Sequence, residues 1–404
     1  MKKYHFYLLS VLMLLLTACA SEEVKIEDLA PATTSSDLRS IDEAVIIAKD
    51  MYSLRSNSRA TVDVADVAVI GSSASRSSND TLIYAINFAD NKGFTLVSAV
   101  KAGNAVIGYT DEGVFSEQSA SENPAFSFYL DAAKDYVSGL GGSIGGPIID
   151  PSTPTLRTEY VSPRIKVSWG QYYPEGTQVR NKIAGCVQTS SAMVLSYFQP
   201  STIKMTSKGN STETLDWSRI MKHVKSLNFH DDISAFNHDV ECEGRFDGHS
   251  YLASICAEIG YRNNAVYTNS EYTTSDASKA PNTLKELTSA KQITAYTSWQ
   301  APFTDLFKKL KEDCLAFVLA KYNDGGITRE HTWICDGGQD YITTSKALSY
   351  TGEWITREEH EVYYHFNWGC CGYDNGYFLA GVFDTEKPKS RTSYNNVQYF
   401  LIYK

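Results

Sequence analysis

The sequence predicts an α+β protein of two folded domains, the larger one offering helices first and an antiparallel sheet later. One observation behind this is a helix-like run from Cys186 to Phe198, preceded by Gly185 and closed by Pro200, which cannot continue a helix. A second is the set of strand-like runs near the C-terminus, at 314–320, 331–335, 361–366, 376–379 and 397–403, separated by Gly or Asp turns. The third is Leu140-Gly-Gly-Ser-Ile-Gly-Gly-Pro147 with Pro151-Ser-Thr-Pro154, the densest Gly/Pro/Ser stretch of the chain and its best domain boundary. A length of 404 residues fits more than one core, because single cores stop growing near ~250 residues.

Taken in order, residues 1–18 read as an export signal. Lys2 and Lys3 precede an apolar run from Phe6 to Leu16, which is too short to span a bilayer, and then Leu16-Thr17-Ala18-Cys19. Leu-x-Ala-Cys resembles a bacterial lipobox, in which Cys19 becomes the lipidated first residue and membrane anchor; the competing reading is an ordinary secretory signal cut near Ala18 or Ala20. Ala20-Ser21-Glu22-Glu23 fits the acidic stretch that directs some lipoproteins to the cell surface, so the expected location is the outer membrane or cell surface, with a periplasm-facing anchor as the alternative.

Residues 19–39 carry few large apolar side chains and read as a flexible tether. Ser40-Ile-Asp-Glu43 is a capping box, and Ala44, Ile47, Ala48 and Met51 follow it at helical spacing. Thr81 to Phe88 and Phe94 to Ser98 flank Ala-Asp-Asn-Lys-Gly93 as a hairpin, Val106 to Tyr109 adds a strand, and Pro124 to Val137 has helical spacing. Residues 40–140 are therefore a small α+β domain without clustered chemistry. Residues 141–160 are the linker, a natural place for a proteolytic cut, and 161–404 form the larger domain.

A net charge of −10 and a pI near 5.4, with no basic run, exclude nucleic acid as the partner. The eight cysteines include no Cys-x-x-Cys pair and no zinc-finger spacing, so neither a structural metal nor a cofactor is expected. Adjacent Cys370 and Cys371 would form a strained bridge.

Chemistry gathers around Cys186. A thiol attacks a carbonyl as thiolate, and its free pKa of ~8.5 falls at a helix N-terminus or beside an imidazolium. His331, His365 and His249 compete for the role of base. His331 leads, because it opens the apolar run Thr332-Trp333-Ile334-Cys335 after the polar turn 324–330. His365 lies two before Asn367, on the same strand face, and His249 lies in the loop Asp247-Gly-His-Ser250. Asn367 supplies an oxygen for the imidazole N–H, and Trp368 shields that bond from water. Upstream, Gln171 and the Cys186 backbone N–H supply donors for an oxyanion.

These residues resemble the streptopain family of bacterial papain-fold cysteine peptidases. Val161-Ser-Pro163 with Trp169-Gly-Gln171-Tyr-Tyr-Pro174 is similar to the opening of the family's mature enzyme, and Gly185-Cys186-Val187 through Tyr197-Phe-Gln-Pro200 to its nucleophile helix. His331 to Gly337 matches the pattern His-Ala-Phe-Val-x-Asp-Gly in outline, and Tyr364-His-Phe-Asn-Trp-Gly369 followed by Asn375-Gly-Tyr-Phe-Leu379 resembles the Asn-Trp-Gly segment and its next strand. Residues 40–140 are similar to the family's inhibitory propeptide at Tyr84 to Phe88, Gly93 to Ser98, Val106 to Tyr109 and Asn123-Pro124.

The resemblance implies a papain-like fold and a zymogen. Its linker is cut by another protease or by itself, and its mature form hydrolyses protein or peptide substrates, with a preference for an apolar P2 residue. It also implies the roles of Cys186 as nucleophile, His331 as general base and acid, Asn367 as its orienting partner and Gln171 as oxyanion donor. Cys370 and Cys371 stand where the family has Trp and Gly, which alters one wall of the S′ side. Thr332 and Trp333 replace Ala and Phe, and the bulkier Trp333 is expected to narrow the site. Other classes compatible with the same quartet are a transglutaminase-like acyl transferase and an inactive papain-fold binding module.

Overall fold

The computed structural model describes residues 38–56, 61–71, 81–140, 154–172, 175–176, 178–222, 248–268, 273–299, 303–324, 327–349, 351–384 and 397–404. The signal, Cys19, the tether up to residue 37, His223, His230, His238, Cys242 and residues 141–153 lie outside these.

The N-terminal domain begins with α1 (Ile41–Arg55), where the capping box forms as expected: Ser40 Oγ accepts from Glu43 N at 3.1 Å and Ser40 N donates to Glu43 Oε2 at 2.7 Å. Strands β1 (Val64–Gly71), β2 (Thr81–Phe88), β3 (Phe94–Ser98) and β4 (Val106–Tyr109) form an antiparallel meander, followed by helices α2 (Glu117–Glu122) and α3 (Pro124–Gly139). Asn123 caps α3 through its side chain, with Pro124 in the first turn, where its missing N–H costs nothing.

The C-terminal domain starts with β5 (Thr155–Val161). This corrects the expected linker of 141–160: Thr155, Thr158, Tyr160 and Val161 are strand formers, and β5 pairs antiparallel with a later strand. Helix α4 (Cys186–Phe198) follows, then the hairpin β6 (Thr202–Met205) and β7 (Ser211–Thr214), and the short α5 (Trp217–Ile220). Helix α6 (Gly248–Arg262), the pair β8 (Val266–Tyr267) and β9 (Thr273–Thr274), α7 (Ala280–Leu287), and the short β10 (Gln292–Ile293) and β11 (Thr297–Ser298) lead to α8 (Phe303–Leu310). The sheet strands are β12 (Cys314–Asp324), β13 (Ile327–Leu348), β14 (Trp354–Asn367), β15 (Gly376–Leu379) and β16 (Val397–Tyr403).

The two domains share one sheet. Its order is β1-β2-β3-β4-β15-β14-β13-β12-β16-β10, with β5 on β13 and β11 on β16, twelve strands in all. The joint is β4 against β15, where Tyr109 pairs with Tyr377 and Gly108 with Phe378.

Strand alternation then divides the core in two. Leu315, Phe317, Leu319, Ile334, Phe400 and Ile402 face α4, α6 and α7. Ala316, Val318, Ala320, Trp333, Cys335, Phe366 and Trp368 belong to the opposite core, which runs without a break into α1, α3 and β2–β4 of the N-terminal domain. Aromatic rings build that second core: Phe126 and Tyr129 of α3 lie 6.0 and 6.1 Å from Trp368, and Phe128 lies 6.4 Å from Trp333.

Candidate active site

Cys186 is the first residue of α4, as the sequence requires. Gly185 precedes it with φ +97°, a conformation that favours glycine, and a Cβ there would come within 3.2 Å of Thr273. The half-buried thiol lies 4.0 Å from the carbonyl oxygen of Glu330 on β13. One turn along the same face of α4, Ser190 Oγ donates to Thr332 O at 3.1 Å and lies 3.2 Å from Thr332 Oγ1. Gln171 is held beside the start of α4, because its carbonyl accepts from Ala184 N at 2.7 Å, and Thr189 Oγ1 donates to Gly170 O at 2.9 Å.

His331 lies inside β13, not at its beginning: the turn expected at 324–330 is largely strand, with Lys321 paired to Glu330 and Ala320 to His331. The pleat therefore fixes its side. Glu330 and Thr332 face α4 and Cys186, whereas His331, like its cross-strand partner Ala320 and like Trp333, leaves on the side of the N-terminal domain. His331 is 7% exposed.

Asn367 pairs with Ile334 and so sits on the α4 side. Its Nδ2 donates to Val167 O at 2.8 Å, and its Oδ1 accepts from Gly369 N at 3.3 Å. The structure thus places Cys186, Gln171 and Asn367 on one side and His331 on the other, and the expected Asn367–His331 hydrogen bond is not made in this form. Trp368 does not cover such a bond either; it is buried against Trp333 at 5.4 Å, and its indole N–H donates to Asp374 O at 2.8 Å.

The electrostatics match a resting thiol. Burial pushes the Cys186 thiol up, against hydrogen bonds from Thr332 and the helix start that pull it down. Burial pushes His331 down to about 4. Both are neutral near pH 7, so the thiolate–imidazolium pair that attack requires is not formed.

His365 is paired rather than free. Its Nδ1 lies 2.6 Å from Asp336 Oδ1, and the fully buried Asp336 also accepts from Ile165 N at 2.8 Å through Oδ2. His249 belongs to the first turn of α6, not to a loop. Trp333, expected to narrow the site, is fully buried on the far side of the sheet and instead meets α3.

Cys370 and Cys371 point apart. The Cys370 thiol lies 3.7 Å from Glu122 O of the N-terminal domain, while Cys371 N donates to Trp169 O at 3.3 Å and its sulfur lies against Gly170. No group of metal-ligating side chains occurs among the described residues. Ser190 and Asp336 carry no role in the sequence reading, and Thr332 enters it only as a replacement for the family's Ala. The available signal was Ser190's position, four residues after Cys186 on the same helix face.

Residues 166–378, more than half of the chain, match the model of the peptidase C10 family, also called the streptopain family. The chain belongs to the peptidase C10 family. Residues 34–137 match the Spi protease inhibitor model, so this C10 chain is a cysteine peptidase that carries its inhibitory domain ahead of it. Among solved structures, a fragment of prointerpain A from Prevotella intermedia is similar in fold, with a TM-score of 0.51 at 16% identity, covering 83% of this chain and 98% of that one. The active interpain A cysteine protease of the same organism gives a TM-score of 0.40 at 19% identity, over 64% of this chain and all of that one. No curated protein sequence matches the C10 chain.

Proposed function

We propose that this C10 zymogen is exported, anchored through a lipid on Cys19 at the outer membrane or cell surface, and converted by a cut before β5 into an endopeptidase working through Cys186, His331, Asn367 and Gln171. The observation that supports the roles best is Cys186 at the N-terminus of a buried helix, with the segment Glu330-His331-Thr332 across from it and Gln171 tied to the residue before Gly185.

Activation has a defined geometric task. Side chains at 331 and 332 alternate, so a one-residue change in the course of β13 exchanges Thr332 for His331 opposite Cys186 and brings His331 to the side of Asn367. The thiolate then attacks the peptide carbonyl, His331 passes the proton to the leaving amine, and water releases the acyl group from Cys186. Gln171 and the Cys186 N–H hold the oxyanion; Gln171→Ala is expected to lower kcat about 10²–10³-fold in the trimmed enzyme.

The deciding experiment is casein hydrolysis by chain 20–404 and its Cys186→Ala twin under reducing conditions, with chain size followed on gels. Hydrolysis with shortening before β5, both absent in the twin, supports a self-processing peptidase. Activity only after an added protease keeps the peptidase and removes self-processing. A trimmed, folded chain without activity overturns the reading in favour of a binding module.

A further inference from the structure

The seam between the two domains is mainly aromatic and main-chain. Tyr129 OH donates to Leu379 O at 3.3 Å, Tyr363 OH donates to Val106 O at 3.1 Å, and Tyr109 and Tyr377 stack at 5.2 Å. Each buried aromatic side chain adds about 1.5–3 kcal/mol, so a single cut in the chain does not by itself free the N-terminal domain.

Two contacts in the seam are of another kind. Asn104, 1% exposed, donates through Nδ2 to Glu361 Oε1 at 2.8 Å, while its Oδ1 accepts from Tyr136 OH at 3.0 Å. Asn123, fully buried, donates through Nδ2 to Asp374 Oδ2 at 3.2 Å and to Tyr373 O at 3.1 Å, and its Oδ1 accepts from Phe126 N at the cap of α3. Both amides belong to the inhibitory domain and both carboxyls to the peptidase domain.

Neither carboxyl has a cation in contact among the described residues. Glu361 faces Glu359 along β14, Tyr341 from β13, Tyr363 from its own strand and Tyr136 from α3; Arg357 is paired with Glu359 at 3.0 Å. Asp374 faces the Cys370 thiol besides Asn123.

We propose that Asn104–Glu361 and Asn123–Asp374 form a proton-dependent clasp that holds the inhibitory domain on the peptidase domain when the two carboxyls are protonated and loosens when they ionise. A carboxylate set against one neutral amide, buried at Asp374 and half-buried at Glu361, loses hydration that the amide does not replace. Burial accordingly pushes Asp374 up to about 7 and Glu361 up to about 7, the Asn104 and Asn123 amides opposing it in each case.

The sign follows from the two states. Once the inhibitory domain is released these carboxyls return to the ordinary range near 4, so docking takes up protons between about pH 4 and about pH 7 and weakens as pH rises through that window. Each carboxyl contributes roughly tenfold per pH unit within it. His331, pushed down to about 4 by burial, acts the other way below about pH 6.5 and offsets one of the two. The net effect still weakens docking with rising pH, most steeply approaching neutrality. A peptidase carrying this clasp stays latent in mild acid and is freed near and above neutral pH.

The clasp rests on the zymogen reading only in taking the N-terminal domain as the inhibitor. It is therefore read in the Cys186→Ala full chain, where no catalysis contributes. Amide hydrogen exchange in β2–β4, corrected for the chemical exchange rate, is expected to show opening that rises at least about tenfold from about pH 5 to about pH 8. In the Glu361→Gln/Asp374→Asn double variant that rise disappears. A flat wild-type profile, or a double variant that keeps the rise, overturns the proposal. Should the double variant fail to fold, carboxyl titration of the Cys186→Ala chain by carbon NMR decides: Asp374 titrating near neutrality supports the clasp, and Asp374 titrating in the ordinary carboxylate range overturns it.

Discussion

Glu330, His331 and Thr332 show how much one pleat decides. Thr332 is pinned to Ser190 over the first turn of α4, and His331 is turned into the core shared with the inhibitory domain. A base buried without a carboxylate partner is held neutral, and its pKa of about 4 lies below the free value. The unfolded chain therefore takes up a proton before the folded one does. The latent chain keeps the full stability of this site above about pH 6.5 and loses it progressively as pH falls to about 4, on the order of 3 kcal/mol. Glu361 and Asp374 act in the opposite sense over that range, so the His331 contribution is read as a difference: in the Cys186→Ala background the His331→Gln form should gain urea midpoint relative to its parent as pH falls from about 6.5 to about 4. Equal slopes would mean that His331 is already hydrated in the latent form.

At the level of elements, β5 separates the part of the linker that a protease can use from the part it cannot. All seven residues of Thr155–Val161 pair with β13, from Thr155 against Thr344 to Val161 against Gly338. Cleavage needs an extended, unpaired main chain, so the activating cut is expected before Thr155, with β5 retained as the first strand of the mature enzyme. Mass and N-terminal sequence of the processed chain would show this; a mature N-terminus inside 156–161 would contradict it. The same strand marks where sequence reading ended. Helix Cys186–Phe198 was legible because a glycine opens it and a proline follows it, and the β2–β3 hairpin because β-formers flank a polar turn. Thr155-Leu-Arg-Thr-Glu-Tyr-Val161 is only a half-polar run whose strand state depends on β13, a partner far away in the chain. Strand β13 was read short for a similar reason: Gly337-Gly338 suggests a turn, yet the pairing register shifts between Cys335 and Gly337 and the strand continues to Leu348. Residues Cys186, Gln171, His331 and Asn367 could be named from order and spacing. Which side of the sheet His331 faces could not, since alternation relates neighbours to each other and only packing says which face meets α4.

For the whole molecule, the continuous sheet makes inhibition a matter of strand pairing as well as packing. Strands β4 and β15 meet at two residue pairs, and Gly108 is a point of close approach: a Cβ there would come 2.6 Å from Phe378 Cδ1 and 3.1 Å from Tyr377 O. Rotating the Phe378 ring relieves the first contact, but Tyr377 O is main chain and moves only with β15. A valine at 108 must therefore part β4 from β15 or displace α3 from Trp368, and overpacking of this kind costs about 1–3 kcal/mol. That loss falls on the docked state, because the free inhibitory domain has no Phe378 to meet. The Gly108→Val chain is expected to self-process and to hydrolyse casein at least about fivefold faster than the unsubstituted chain, since ~1.4 kcal/mol is already tenfold in an equilibrium. In the Cys186→Ala background the same substitution should raise hydrogen exchange in β4 and β15 while leaving β12 and β16, at the centre of the peptidase core, protected. If exchange rises in β4 and β15 and the processing rate does not change, the sheet joint is only a structural seam and latency resides in the face of β13 that His331 occupies.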